Sequence, residues 1–145
     1  MCDHCGCRNV GPTAELTAEH DEILALAWQL AESQRTAAPV PPDLVQRLLD
    51  LRARHSLKEE RGLFPLVLES GDCSPDQIAH LEQEHREQRA VLEGGTFTRD
   101  DYYALAAHVE EEEFELFPMA MFGFDDTMWD EMDAIHRAVD AEPAT

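Results

Sequence analysis

His55-Ser56-Leu57-Lys58-Glu59-Glu60-Arg61-Gly62-Leu63-Phe64-Pro65 returns later in the chain as His108-Val109-Glu110-Glu111-Glu112-Glu113-Phe114-Glu115-Leu116-Phe117-Pro118, identical at six of eleven positions. Ahead of each copy stands a further acid–imidazole pair, Glu19-His20 and Glu84-His85. The chain therefore reads as two copies of one helical hairpin, each with a lone histidine and a His-x-x-x-Glu. Four residues along a helix turn it by roughly 400°, so His55 stacks over Glu59 and His108 over Glu112 on a single face.

Working outward, the same stripe carries Leu48, Leu51 and Leu63 around the first copy and Leu105 and Leu116 around the second, which turns the polar pairs inward. His20 lies four residues from both Leu16 and Leu24, and His85 lies four after Leu81, so both lone histidines share that orientation. Four imidazoles and two carboxylates thus converge in an apolar interior. Unpaired, they would cost several kcal/mol, roughly, whereas a cation turns their lone pairs into ligands.

Helical spacing predicts a first helix over about 13–35, ended by Ala38-Pro39-Val40-Pro41-Pro42, and a second from Asp43 towards Pro65. Ser74-Pro75-Asp76-Gln77 has the form of a capping box and opens a third helix that ends near Gly94-Gly95. Thr98 and Asp101 cap a fourth, running to about Pro118, and Met128, Met132, Ile135 and Val139 suggest a shorter fifth over about 126–141. No segment alternates like a strand. The expected architecture is all-α: an up-down four-helix bundle with a short additional C-terminal helix, residues 13–145, behind a Cys/His-rich N-terminal segment, residues 1–12.

Composition narrows the partners. The 145 residues, 43% hydrophobic, suffice for one core, and 11 basic against 31 acidic residues give a net charge of −20. That charge repels phosphate backbones and anionic lipid, so neither nucleic acid nor membrane is expected as a partner. Without a basic start and apolar run, or a long apolar stretch, the reading is a soluble cytoplasmic protein.

Two histidines and one carboxylate per hairpin, with no thiolate among them, match the composition of open non-haem iron sites, and paired metals between carboxylates recur in helical bundles. At these residues the chain resembles the hemerythrin-like, or HHE cation-binding, family, whose lone helical His followed by His-x-x-x-Glu-Glu-x-x-Leu-Phe-Pro occurs here twice. The resemblance spans about residues 13–120. It implies an oxygen-bridged centre of two iron ions, with His20, His55, Glu59, His85, His108 and Glu112 as ligands and Glu59 and Glu112 as bridges. The acids one place on, Glu60 and Glu113, are alternative bridges and candidates for catalytic proton transfer. One turn after His85, where oxygen carriers of the family have a second histidine, this chain has Arg89, a departure that leaves a more open iron. His80, about 140° away around the helix, is no substitute.

The function expected is a di-iron protein that binds or reacts with small molecules, O2, H2O2 or NO, with catalase-like turnover or a role in oxidative and nitrosative stress. Alternatives are a non-catalytic sensor reporting through its N-terminus to an unknown protein partner, and oxygen storage. Cys2, His4, Cys5 and Cys7 form a second candidate site, either for zinc or iron with His4 or Cys73 completing the shell, or as a redox-active thiol cluster. Glu19 and Glu84 read either as solvated surface or as acceptors for a histidine N–H. His136 reads as a helix-edge residue, Tyr102 and Tyr103 as packing residues, and Met119, Met121, Met128 and Met132 as filling beneath the fifth helix.

Overall fold

The computed structural model describes residues 11–71 and 73–143, and the helical periodicity is realised there as five rods. Helices α1 (Gly11–Arg35), α2 (Leu44–Lys58), α3 (Phe64–Ser70), α4 (Pro75–Glu93), α5 (Arg99–Glu111), α6 (Phe117–Gly123) and α7 (Asp126–Ala141) occur in that order. Two π-helical segments, Glu59–Leu63 and Glu112–Leu116, join α2 to α3 and α5 to α6, so that residues 44–70 and 99–123 are each one continuous rod. No strand occurs among the described residues.

The expected stops at Pro65 and Pro118 do not occur; both rods run on, to Ser70 and Gly123. Proline lacks an N–H and its ring crowds the carbonyl four residues back. The π turn placed just before each proline relieves that crowding. Phe64 N–H reaches Glu59 O and Phe117 N–H reaches Glu112 O, five residues back, with one extra residue in the turn. The first rod ends instead at Gly71, whose φ of 86° is left-handed.

The other termini follow local chemistry. The Ser74 hydroxyl accepts from Gln77 N–H at 3.1 Å, but the Gln77 side chain turns away to donate to Glu115, leaving the box half formed. Thr98 and Asp101 complete theirs in both directions. These caps contribute about 1 kcal/mol each.

Helix α1 lies against α2 and α5, and α4 against the same two, closing a four-rod bundle; α7 packs along α1, α2 and the first π segment. The core has two apolar clusters. Leu16, Leu63, Phe64, Leu81, Leu116, Phe117 and Met132 form one, and Ile23, Leu30, Leu48, Leu92 and Leu105 belong to the other. Each fully buried leucine contributes about 2 kcal/mol. On every one of the four rods a histidine separates the two clusters, which sandwiches a polar layer across the middle of the bundle. Among the described residues, no helix is long and apolar enough to cross a membrane.

Candidate metal centre

Four rods bring six side chains to this layer: His20 from α1, His55 from α2, His85 from α4, His108 from α5, and Glu59 and Glu112 from the starts of the two π segments. Both carboxylates are wholly buried, and no imidazole is more than 6% exposed. The ring Nε2 atoms point to the centre. His55 and His85 each place Nε2 3.2 Å from Glu59 Oε1, His108 places its own 2.9 Å from Glu112 Oε1, and His20 Nε2 lies 3.5 Å from Glu112 and 3.7 Å from Glu59. Two four-residue groups result, His20/His55/Glu59/Glu112 and His85/His108/Glu59/Glu112, each with its ligand atoms within 4.8 Å of one another. Both carboxylates belong to both groups.

Behind each ring stands another acid. His20 Nδ1–H donates to Glu113 at 2.8 Å, His85 to Glu60 at 2.9 Å, His55 to Glu19 at 3.0 Å and His108 to Glu84 at 3.1 Å. An ionised carboxylate only accepts, so each pair fixes a proton on Nδ1 and leaves Nε2 free to offer its lone pair to a cation. The solvated-surface reading of Glu19 and Glu84 is therefore overturned: an imidazole one helix away captures each. Glu60 and Glu113 act across the repeat, each holding the lone histidine of the other hairpin. Phe64 stacks on His85 and Phe117 on His20 in the same crossed manner. The repeated Glu-Glu-x-x-Leu-Phe thus supplies an inner carboxylate, an outer carboxylate and a ring that backs the neighbouring imidazole.

In this arrangement the imidazoles attract protons strongly. Burial pulls His85 down, but the carboxylates of Glu59, facing Nε2, and Glu60, bonded to Nδ1, outweigh it and raise the pKa to about 10. His20 is also raised, burial being outweighed by Glu112, Glu113 and Glu59. For Glu59 burial opposes ionisation, and the facing His55 together with the other neighbours holds the carboxyl well below its usual range.

The fit to cations rests on eight buried atoms. Nε2 of all four histidines and both oxygens of Glu59 and Glu112 have no hydrogen-bond partner, close as they lie to one another. Each orphan costs about 1–3 kcal/mol. Convergent nitrogen and oxygen lone pairs sharing two carboxylates are what a pair of cations would satisfy, and the residues present fit such a pair.

Two charged residues near the layer had no distinctive sequence signal. Lys58 is 1% exposed and pairs with Glu15, with Glu19 at 2.6 Å and with Asp140 of α7 at 2.9 Å. Arg52, 5% exposed, donates to His85 O and Gln88 Oε1, both at 3.0 Å. Burial lowers its guanidinium to about 10, which leaves it charged at neutral pH. Helical spacing puts each on the edge of the inward stripe, where an ordinary surface cation would look the same.

The remaining candidates separate. His136 is not a helix-edge residue; α7 turns it inward, 1% exposed, with Nδ1 3.5 Å from Glu15 and away from the two four-residue groups. Cys73 packs in the apolar cluster, where burial pushes its thiol up. Tyr102 packs edge-on against Trp28, while Tyr103 is largely exposed. His80 is also exposed, and Arg89 is paired with Glu93 at 2.6 Å on the surface. Cys2, His4, Cys5 and Cys7 lie outside the described residues.

Compared with known families, residues 11–120 match the model of the Hemerythrin HHE cation binding domain. No curated protein and no solved structure gives a significant match. The C-terminal helix α7 lies beyond the matched region.

Proposed function

Because the chain belongs to the Hemerythrin HHE cation binding domain family, we propose that its polar layer holds two iron ions and that the protein binds or reacts with O2, peroxide or NO there. The observation that carries this reading is the pair of four-residue groups sharing Glu59 and Glu112, whose facing atoms are all without hydrogen-bond partners. His20 and His55 would hold one ion, His85 and His108 the other, and the two glutamates both. A shell of imidazole and carboxylate without thiolate favours iron over structural zinc.

Iron in such a shell supplies one-electron chemistry and open positions for a small ligand. The protein's own part is to shape and dry that space. A cavity of about 10 Å³ adjoins the four histidines and Glu112, bounded on its apolar side by Ile23, Leu105 and Val109. That volume is about what one water needs. Glu60 and Glu113 do not line it; they hold a proton at His85 Nδ1 and His20 Nδ1, which orients the rings and strengthens Nε2 as a donor to the cation. We assign them that role before proton transfer to a ligand. Cysteines crowded at positions 2, 5 and 7, read as reduced thiols, and a net charge of −20 fit a cytoplasmic setting and small-molecule partners.

The test is to purify the protein without added metal, count iron, zinc and manganese per chain, and record the visible spectrum before and after hydrogen peroxide. Two irons, lost in Glu59→Ala, with a peroxide-dependent spectral change are expected. A bundle that binds no transition metal, or iron retained in full by Glu59→Ala, would overturn the reading.

A further inference from the structure

The repeat that aligns His55 with His108 also aligns Lys58 with Glu111, and the one that aligns Glu19 with Glu84 aligns Glu15 with His80. In the first half the ammonium of Lys58, 1% exposed, sits among carboxylates: Glu15, Glu19 at 2.6 Å and, from α7, Asp140 at 2.9 Å. In the second half the same place sets acid against acid. Glu84 and Glu111 face one another there, beside the exposed imidazole of His80, with their ligand atoms within 4.8 Å. The bundle therefore closes at this level without a buried cation. Packing gives little reason to desolvate one at Lys58, and doing so is costly.

What distinguishes Lys58 is where its charge falls. Glu19 divides its oxygens, Oε2 accepting from Lys58 Nζ and Oε1 from His55 Nδ1–H at 3.0 Å. Glu84 accepts from His108 Nδ1–H at 3.1 Å with an acid, Glu111, standing in the place of the lysine. A carboxylate behind a metal-binding ring strengthens Nε2 as a donor, and a cation behind that carboxylate reverses part of the effect. The same positive charge also repels a metal ion across the imidazole. Arg52, the other buried cation near the layer, donates to His85 O and Gln88 Oε1 rather than to an outer carboxylate, so it does not act through an Nδ1 acceptor.

We propose that Lys58 is a positioning residue that makes the two metal positions unlike: acting through Glu19 and His55, it weakens the His20/His55 position and leaves the His85/His108 position as its own ligands set it. The inference rests on the two-iron reading above. Both four-residue groups offer the same donors, two imidazoles and the shared Glu59 and Glu112, so a difference of this kind has to come from outside them. Lys58 supplies it from one helical turn beyond His55, at a place where the second half of the repeat carries the opposite charge.

The experiment measures cobalt(II), an air-stable divalent probe, in competition with a chelator, and counts metal per chain on the same samples. Two backgrounds isolate the positions: His108→Ala leaves the His20/His55 group whole, and His55→Ala leaves the other. In the first, Lys58→Met should tighten binding about tenfold, even though it destabilises the metal-free fold. In the second, the change should stay under about twofold. A merely structural lysine predicts the opposite sign, weaker binding in the less stable protein. Glu111→Lys places the same cation behind Glu84 on a part-exposed surface, so it tests the idea even where Lys58→Met does not fold. It should loosen the His85/His108 position about tenfold and the His20/His55 position by under about twofold. Weaker or unchanged cobalt binding in Lys58→Met, no loss in Glu111→Lys, or equal effects in the two backgrounds overturns the tuning alone. An unmodified protein that binds neither cobalt nor iron overturns the parent reading and the tuning with it.

Discussion

Lys58 Nζ lies 2.6 Å from Glu19 Oε2, while the other oxygen of the same carboxylate takes the Nδ1–H of His55 at 3.0 Å. A buried cation is thereby linked through one acid to an imidazole of the polar layer, and through Asp140 to the C-terminal helix. Lys58→Met leaves Glu15, Glu19 and Asp140 facing one another without their cation. Because those acids are partly exposed, the expected cost falls between that of surface and buried pairs, about 2 kcal/mol. Urea unfolding of the metal-free protein measures it, and an unchanged midpoint would show that the acids relax into solvent without cost.

The outer carboxylates should tune affinity without setting stoichiometry. Glu19→Ala, Glu60→Ala, Glu84→Ala and Glu113→Ala each remove the acceptor of one Nδ1–H, so a loss of roughly 10–100-fold in metal affinity is expected for each. Chelator competition reads this directly. Equal affinity in all four would mean that ring packing alone, including the Phe64 and Phe117 stacks, orients the histidines.

Removing an inner carboxylate should act differently from removing a histidine. Glu59 and Glu112 belong to both four-residue groups, so Glu59→Ala is expected to lower occupancy of both positions together. His55→Ala belongs to one group only and should leave the other position the better filled. Metal counted per chain over a titration separates the two patterns, and a Glu59→Ala protein that retains one full equivalent contradicts the shared role.

Protons and cations compete for the same layer. His85, raised to about 10 without metal by Glu59 and Glu60 against the opposing effect of burial, stabilises the metal-free fold fully below about 6.5, its unfolded value. That contribution is lost as pH rises through about 10. Metal must displace the proton, so apparent affinity should climb with pH across this range, and metal should leave as pH falls towards about 4–5. Iron retained at pH 4 would point to ligands other than these histidines.

Far from the layer, Glu32 gives a cleaner case. Hydrogen bonds from Arg99 and then Arg35 hold its carboxyl down at about 2, against an ordinary 4.5. Its contribution is therefore present above about 4.5 and lost as pH falls from there through about 2. Glu32→Gln should lower the melting temperature at pH 7 and converge on the unmodified protein near pH 2. A constant offset at both pH values would assign the effect to packing.

Much of the bundle is legible along the chain because period and punctuation are local properties. The repeat, the apolar stripes and the caps at Ser74 and Thr98 locate the rods to within a few residues. Pro65 and Pro118 misled for a local reason as well: a proline signals a helix end unless the backbone inserts a π turn, and that choice depends on packing of the rod beyond it. The same π segment carries both Glu59 and Glu60, which meet His85 at opposite ring nitrogens, Nε2 and Nδ1, a division of labour that fourfold spacing alone leaves open.

The sequence by itself determined that His20, His55, His85 and His108 face inward, since each lies on a helical stripe whose direction follows from its own neighbours, and it left the carboxylates open between Glu59 with Glu112 and Glu60 with Glu113. Which acid meets which imidazole was decided only in three dimensions. Glu19, Glu84, Lys58 and Arg52 sit at stripe edges where one helix offers water and core equally, and the balance is set by a residue on another rod: His55, His108, the acids of α1 and α7, and the carbonyl of His85. A charge at such an edge is buried when a partner across the bundle offsets its desolvation, and that partner is many residues away in the chain.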